Sequence, residues 1–235
     1  EGGYNRMIDV RRNLNEIMGN IETSAAVFGR NVEDIELIAV TKYVDVSRIQ
    51  AAVDAGISNI GENRVQEFLS KLDFYDSLNL RKHFIGQLQT NKVKYVTGKV
   101  ALIQSVDRLP LASAISRRAA ELNIVQGVLI EVNIGNEPQK GGISADELTC
   151  LLETVSAMPG IAIKGLMCIP PVMGEPEARK YFSAMHRLFI KLSQDRIEGV
   201  EMRYLSMGMS GDYRVAIEEG ANMVRIGTAL FGGRI

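Results

Sequence analysis

Lys42 stands two residues past the apolar run Ile35-Glu36-Leu37-Ile38-Ala39-Val40. That run reads as a buried strand, so the lysine lies where the strand leaves the core. Loss of hydration at such a place favours the neutral form of an amine. A neutral amine is a nucleophile toward a carbonyl, or an anchor for an aldehyde cofactor. Taken alone, a lysine that merely snorkels off a strand end is the plainer reading.

Two further segments share that chemistry. Ser206, Gly208, Ser210 and Gly211 form a small-residue loop before a helical pattern, and Gly227-Thr228 form a second such turn before Gly232-Gly233. Small residues let backbone N–H groups approach a phosphate, and hydroxyls add donors. Tight turns with Ser210 or Asp212 as a helix cap are the alternative. Arg225 lies inside the run Met223-Val224-Arg225-Ile226-Gly227. It cannot shed its charge and needs an acceptor: a core carboxylate such as Glu62, or a ligand ring nitrogen. An aldehyde-binding lysine, a phosphate cradle and a polar group between them match the three handles of pyridoxal 5′-phosphate. His83 is expected to hydrogen-bond within the core and His186 to be solvated. Two histidines and no His/Cys/Asp cluster argue against a metal site.

What must position these groups is a repeating alternation. A leading helix is expected over Met7 to Phe28. Strands are expected over Glu36–Thr41, Asn59–Glu62, His83–Gly86, Leu102–Val106, Val128–Asn133, Ile161–Ile169, Tyr204–Met207 and Val224–Gly227. Between them fall helical patterns over Val46–Ala55, Val65–Leu72, Lys92–Val96, Pro110–Asn123, a stretch opened by the capping box Ser144-x-x-Glu147, Glu177–Gln194 and Asp212–Glu219. Strands alternating with helices in this way predict a (β/α)8 TIM barrel in one domain over residues 1–235. An open doubly wound sheet would call for a glycine-rich first crossover, and Thr41-Lys42-Tyr43 has no glycine. In a barrel the C-terminal strand ends carry function, and phosphate sites commonly follow strands seven and eight.

The 235 residues carry a net charge of −1, with 46% hydrophobic and 23% charged residues. Charge gives no sign of nucleic-acid or membrane binding. The sequence has neither a membrane-length apolar stretch nor an apolar leader, so the cytoplasm is the expected location. Cys150 and Cys168 read as small core residues in a reducing compartment. Met207 and Met209 read most simply as packing residues.

Six segments, in order, resemble the pyridoxal-phosphate homeostasis proteins, relatives of the N-terminal barrel domain of alanine racemase. They are Ala39-Val40-Thr41-Lys42, Gly61-Glu62-Asn63-Arg64-Val65-Gln66-Glu67, and His83-Phe84-Ile85-Gly86-Gln87-Leu88-Gln89-Thr90-Asn91-Lys92. The others are Gly165-Leu166-Met167, Ser206-Met207-Gly208-Met209-Ser210-Gly211-Asp212 and Val224-Arg225-Ile226-Gly227-Thr228-Ala229-Leu230-Phe231-Gly232. The resemblance implies an alanine-racemase-like barrel with an extra N-terminal helix. It implies that Lys42 carries pyridoxal phosphate as an internal aldimine, that Ser206, Gly227 and Thr228 help hold the phosphate, and that Arg225 faces the pyridine nitrogen. Asn63 and His83 match polar positions near the cofactor, Met209 belongs to the same binding set, and Lys140 matches a lysine on a nearby loop. The first six or so residues and Asp73 to Arg81 carry no part of the resemblance.

A cofactor-handling protein is the function this resemblance implies, active in vitamin B6 balance with little or no catalysis. Apo pyridoxal enzymes are the candidate recipients, and the chain is expected to act as a monomer. The alternative is a pyridoxal-dependent amino-acid racemase. That reaction needs a second base, which alanine racemase draws from a tyrosine of another domain, and the sequence ends at Ile235 just after the last expected strand. An arginine at the ring nitrogen also weakens the ring as an electron sink. A Schiff-base aldolase acting on a sugar phosphate would use the same lysine and phosphate logic.

Overall fold

The computed structural model describes residues 9–171 and 174–233, so the helix start expected at Met7 lies outside the described residues. Helix α1 (Val10–Val27) comes first. The barrel then runs β1 (Glu36–Val40), α2 (Val46–Asp54), β2 (Asn59–Glu62), α3 (Val65–Ser77), β3 (Arg81–Phe84), a 3-10 turn (Thr90–Tyr95), β4 (Leu102–Val106) and α4 (Leu109–Glu121). It continues through β5 (Gln126–Val132), α5 (Leu148–Ser156), β6 (Ile161–Cys168), α6 (Glu175–Asp195), β7 (Val200–Ser206), α7 (Tyr213–Glu218), β8 (Met223–Ile226) and a single turn, α8 (Thr228–Phe231). The strands are parallel and close in sequence order, with β8 pairing back onto β1.

Alternation along each strand creates two cores. Ile38, Leu102, Leu129, Met167, Tyr204 and Met223 fill the barrel interior, while a larger cluster seals the strands against the helices. Register fixes what else points inward. Ile38 pairs with Arg225, Gly61 with His83 and Glu131 with Met167. The N-terminal end of the barrel is plugged by Arg81, whose guanidinium binds Glu36 at 2.9 Å and the Tyr204 hydroxyl at 3.1 Å. Helix α1 buries Val10, Leu14, Ile17 and Ile21, a three-to-four-residue stripe, against α2, α7 and α8.

Several bounds differ from the sequence reading. β3 starts at Arg81 and β7 at Val200, because charged residues in each opening find partners: Lys82 with Asp76, and Glu201 with Lys164 across β6 and β7. Helix α3 continues to Ser77, which brings the fully buried Tyr75 under β1. Cys150 is exposed, contrary to its reading as a core residue, because Leu148, Leu151, Leu152 and Val155 take the inner face of α5. His186 is half-buried against Gly220 rather than solvated. Among the described residues, no helix is long and apolar enough to cross a membrane.

Candidate functional site

β1 directs Lys42 to the same side as Ile38 and Val40, toward the mouth of the barrel. Lys42 is half-buried, and its ammonium has no hydrogen bond or ion pair among the described residues. It lines a cavity of about 140 Å³ together with Tyr43, Arg48, Gly227, Thr228 and Gly232. Wider grooves of about 540 and 550 Å³ lie elsewhere, between α1 and α7 and between α4 and the 3-10 turn. Neither holds the lysine. The smaller cavity is where an amine and the β8 turn meet.

The β7 and β8 loops are joined by one hydroxyl. Ser210 Oγ accepts from the backbone N–H of Gly227 at 3.2 Å and of Ala229 at 3.1 Å. Two amides therefore converge on a single oxygen beside the cavity, the arrangement a phosphate oxygen requires. Gly208, at φ +93°, makes the turn that allows this, and its carbonyl accepts from Arg225 N at 3.0 Å. Asp212 Oδ1 accepts from Met209 N at 2.6 Å and so shapes the loop, without making a side-chain cap on α7. Met209 is half-buried on this loop.

Below the loops, a polar chain crosses the barrel interior. Arg225, buried on β8, donates to Ser206 Oγ at 2.6 Å and to the Cys168 carbonyl at 3.0 Å. It does not pair with Glu62, which faces outward toward α3 and binds Lys71. Since the guanidinium can only donate, Ser206 must pass its own proton on, and it does so to Gln104 Oε1 at 2.7 Å. The Gln104 amide then donates to His83 Nδ1 at 3.1 Å. That leaves His83 protonated on Nε2, which faces Asn59 Oδ1 at 3.4 Å. Burial first, and Arg81 second, push the imidazole down to about 3, so His83 stays neutral across the working range. Cys168 is pushed up to about 12, chiefly by burial, and is inert as a thiol.

Glu131 also faces this interior from β5. It is buried, and its Oε2 has no hydrogen-bond partner. Burial and the charge of Asp107 raise it from 4.5 to about 7, against the pull of Arg225 and Arg108. Between those values the fold holds a proton that the unfolded chain has lost, so stability falls as pH rises through the window. Glu131→Gln is therefore expected to gain on the order of 1–3 kcal/mol near pH ~8 and little near pH ~5. Urea unfolding at both pH values checks this, and an equal gain at both would show that Glu131 is ionised throughout.

A family model described as the alanine racemase N-terminal domain matches residues 13–235. This chain belongs to that family. It is 46% identical over 222 residues to the pyridoxal phosphate homeostasis protein of Aquifex aeolicus, covering 94% of this chain and 96% of the relative. The Escherichia coli K12 protein of the same name is 38% identical over 237 residues, covering 97% and 98%. Among solved structures, PipY of Synechococcus elongatus with PLP bound superposes with a TM-score of 0.83 at 31% identity, covering 95% of this chain and all of that one. Alanine racemase of Clostridium difficile, at 17% identity and a TM-score of 0.74, shares the fold over 59% of its own length.

Against this family background, the expected site residues fall into three neighbouring groups. Lys42, Gly227 and Thr228 share the small cavity. Ser206, Arg225 and His83 lie in the interior chain. Asn63, with its Oδ1 unpartnered, lines a separate polar cavity of about 400 Å³ with Arg64, Gln87, Gln89 and Lys92. Lys140 is tied to the Pro170 carbonyl at 3.0 Å and to Glu137. Gln104 and Glu131 escaped the sequence reading. Their signal was present, as large polar residues among the apolar ones of the strands Leu102–Val106 and Gln126–Val132.

Proposed function

We propose that the chain binds pyridoxal 5′-phosphate at the barrel mouth and holds and releases it in vitamin B6 homeostasis, with little or no catalysis of its own. The observation that carries this is the unpaired Lys42 amine in one cavity with the Gly227-Thr228 turn. When bound, the cofactor supplies an aldehyde that an amine captures reversibly. Lys42 Nζ, in the cavity beside Gly227 and Thr228, would be the amine that holds it. The Gly227-Thr228 turn, with the Met209 loop that Ser210 ties to it, would cradle the phosphate. Arg225, which can only donate, would stand at the ring nitrogen and disfavour its protonation, which would leave the ring a poor electron sink. Ser206, backed through Gln104 by His83, holds Arg225 from below, and Asn63 flanks the mouth.

The family relatives' names and the PLP-bound PipY structure support this reading. Apo pyridoxal enzymes in the cytoplasm are the proposed recipients. The test is to load the protein with pyridoxal phosphate, record its visible absorbance, and then offer it either an apo enzyme or single L-amino acids in deuterated water. Transfer without α-deuterium exchange supports a carrier. Exchange with loss of chirality near the common enzyme rate of ~10 s⁻¹ would make it a racemase.

Ser206→Ala combined with Thr228→Val is expected to weaken cofactor retention by about tenfold or more. Each hydrogen bond to a charged group contributes about 1.5–3 kcal/mol, one lost at the phosphate and one lost where Ser206 aims Arg225. Equilibrium dialysis of the double variant measures it, and unchanged affinity would move the phosphate elsewhere.

A further inference from the structure

Helix α3 reaches under the β1 end with a buried charged cluster. Lys71 Nζ donates to the Thr41 carbonyl at 2.8 Å, to Glu67 Oε1 at 2.8 Å and to Glu62 Oε1 at 3.1 Å. All three of its donors are thus used. Glu67 Oε1 also accepts from the backbone N–H of Tyr43. Glu62, fully buried, is further held by the Tyr75 hydroxyl at 2.6 Å and the Thr41 hydroxyl at 2.8 Å. Burial and the charge of Glu62 push the Tyr75 phenol upward, so it remains a donor.

These contacts fall on the residues either side of Lys42. Thr41 is tethered through its carbonyl and Tyr43 through its amide, and the two tethers meet at the Lys71–Glu67 pair. Tyr43 has φ +60°, a conformation that a non-glycine residue keeps only when its surroundings impose it. The bond from Tyr43 N to Glu67, with the Arg64 guanidinium 5.1 Å from the Tyr43 ring centroid, supplies that constraint. The lysine side chain, on the opposite side of the strand from α3, has no such partner. Its direction is therefore set by the backbone on its two flanks.

We infer that Glu67 and Lys71 are positioning residues for Lys42: a bracket on α3 that grips the main chain before and after the lysine and aims its amine into the cavity. The inference rests on the proposed role of Lys42, but the bracket itself is testable in cofactor-free protein. Lys71 is a poor first target, since its loss leaves Glu62 buried and uncompensated. Glu67 is more accessible, and its substitution leaves Lys71 with Glu62.

The experiment compares Glu67→Ala with Glu67→Gln. The glutamine retains an oxygen that can accept from Tyr43 N and from Lys71, and the alanine does not. Three quantities are read: hydrogen exchange at the Tyr43 amide, acetylation of Lys42 relative to the other lysines in cofactor-free protein, and equilibrium retention of pyridoxal phosphate. In Glu67→Ala, Tyr43 exchange is expected to rise and retention to fall by about tenfold each, the scale of one charge-assisted hydrogen bond. The relative acetylation of Lys42 should change with them, and Glu67→Gln should restore most of all three. Faster Tyr43 exchange with unaltered Lys42 acetylation and retention would overturn the bracket, as would failure of the glutamine to rescue. If the wild-type chain takes up no pyridoxal phosphate, the functional reading fails, while the exchange and acetylation arms still decide whether the bracket aims Lys42.

Discussion

Lys42→Ala is expected to abolish covalent capture of pyridoxal phosphate by borohydride, along with the visible absorbance of the loaded protein. Two other described lysines, Lys71 and Lys140, are already engaged. Lys71 is buried with all three donors engaged, and Lys140 is held by Pro170 and Glu137. The fold should change little, because the Lys42 ammonium makes no hydrogen bond or ion pair among the described residues. Loss of a half-buried side chain without hydrogen bonds is expected to cost about 1 kcal/mol or less. Peptide mapping of the reduced protein gives the answer. Stoichiometric label on a single different lysine would remove Lys42 from the role proposed for it.

Gly165→Ala is expected to have the largest effect on folding. Gly165 sits at φ +139°, and a Cβ there would lie 1.9 Å from the Tyr204 carbonyl oxygen and 2.8 Å from its carbonyl carbon. The obstacle is backbone, so it cannot rotate away. The position coincides with the register shift between β6 and β7, where one strand is pressed onto the next. Strain of the backbone and displacement of β7 together should cost about 3 kcal/mol or more. Gly211, which has open space around its Cα, is the control and should accept alanine with little change. Denaturant midpoints of the two variants compare them directly, and equal midpoints would mean that β6 and β7 lie further apart than described.

The alternation of strands and helices was legible because strands such as Glu36–Val40, Leu102–Val106 and Gln126–Val132 are short, largely apolar runs closed by polar or glycine residues. The barrel, and the residues at its strand ends, followed from that order. Strand openings such as Arg81-Lys82 and Glu201 were not legible. Their charges are satisfied by Glu36, Asp76 and Lys164, which are distant in sequence. The tail of α3 was missed for a related reason. Asp73 to Ser77 carries mixed polarity, and only the closed fold shows that Tyr75 belongs beneath Thr41 and Glu62. The acceptors of Arg225 depend in the same way on register. Pairing Ile38 with Arg225 and Met167 with Ser206 sends the guanidinium to Ser206 and Cys168, and Glu62 points the other way.

The hydrogen bonds from Arg225 through Ser206, Gln104 and His83 to Asn59 all run in one direction. They start at a guanidinium that does not give up its proton and include an imidazole that does not protonate near neutrality. Such a line cannot relay protons: no member can release one at the top and recover one at the bottom. It is an insulator with a fixed dipole. Below it, the Arg81, Glu36 and Tyr204 plug occupies the far end of the barrel. A ligand at the mouth is therefore cut off from the far end of the barrel along this line, and the protons within its reach are those of the mouth itself.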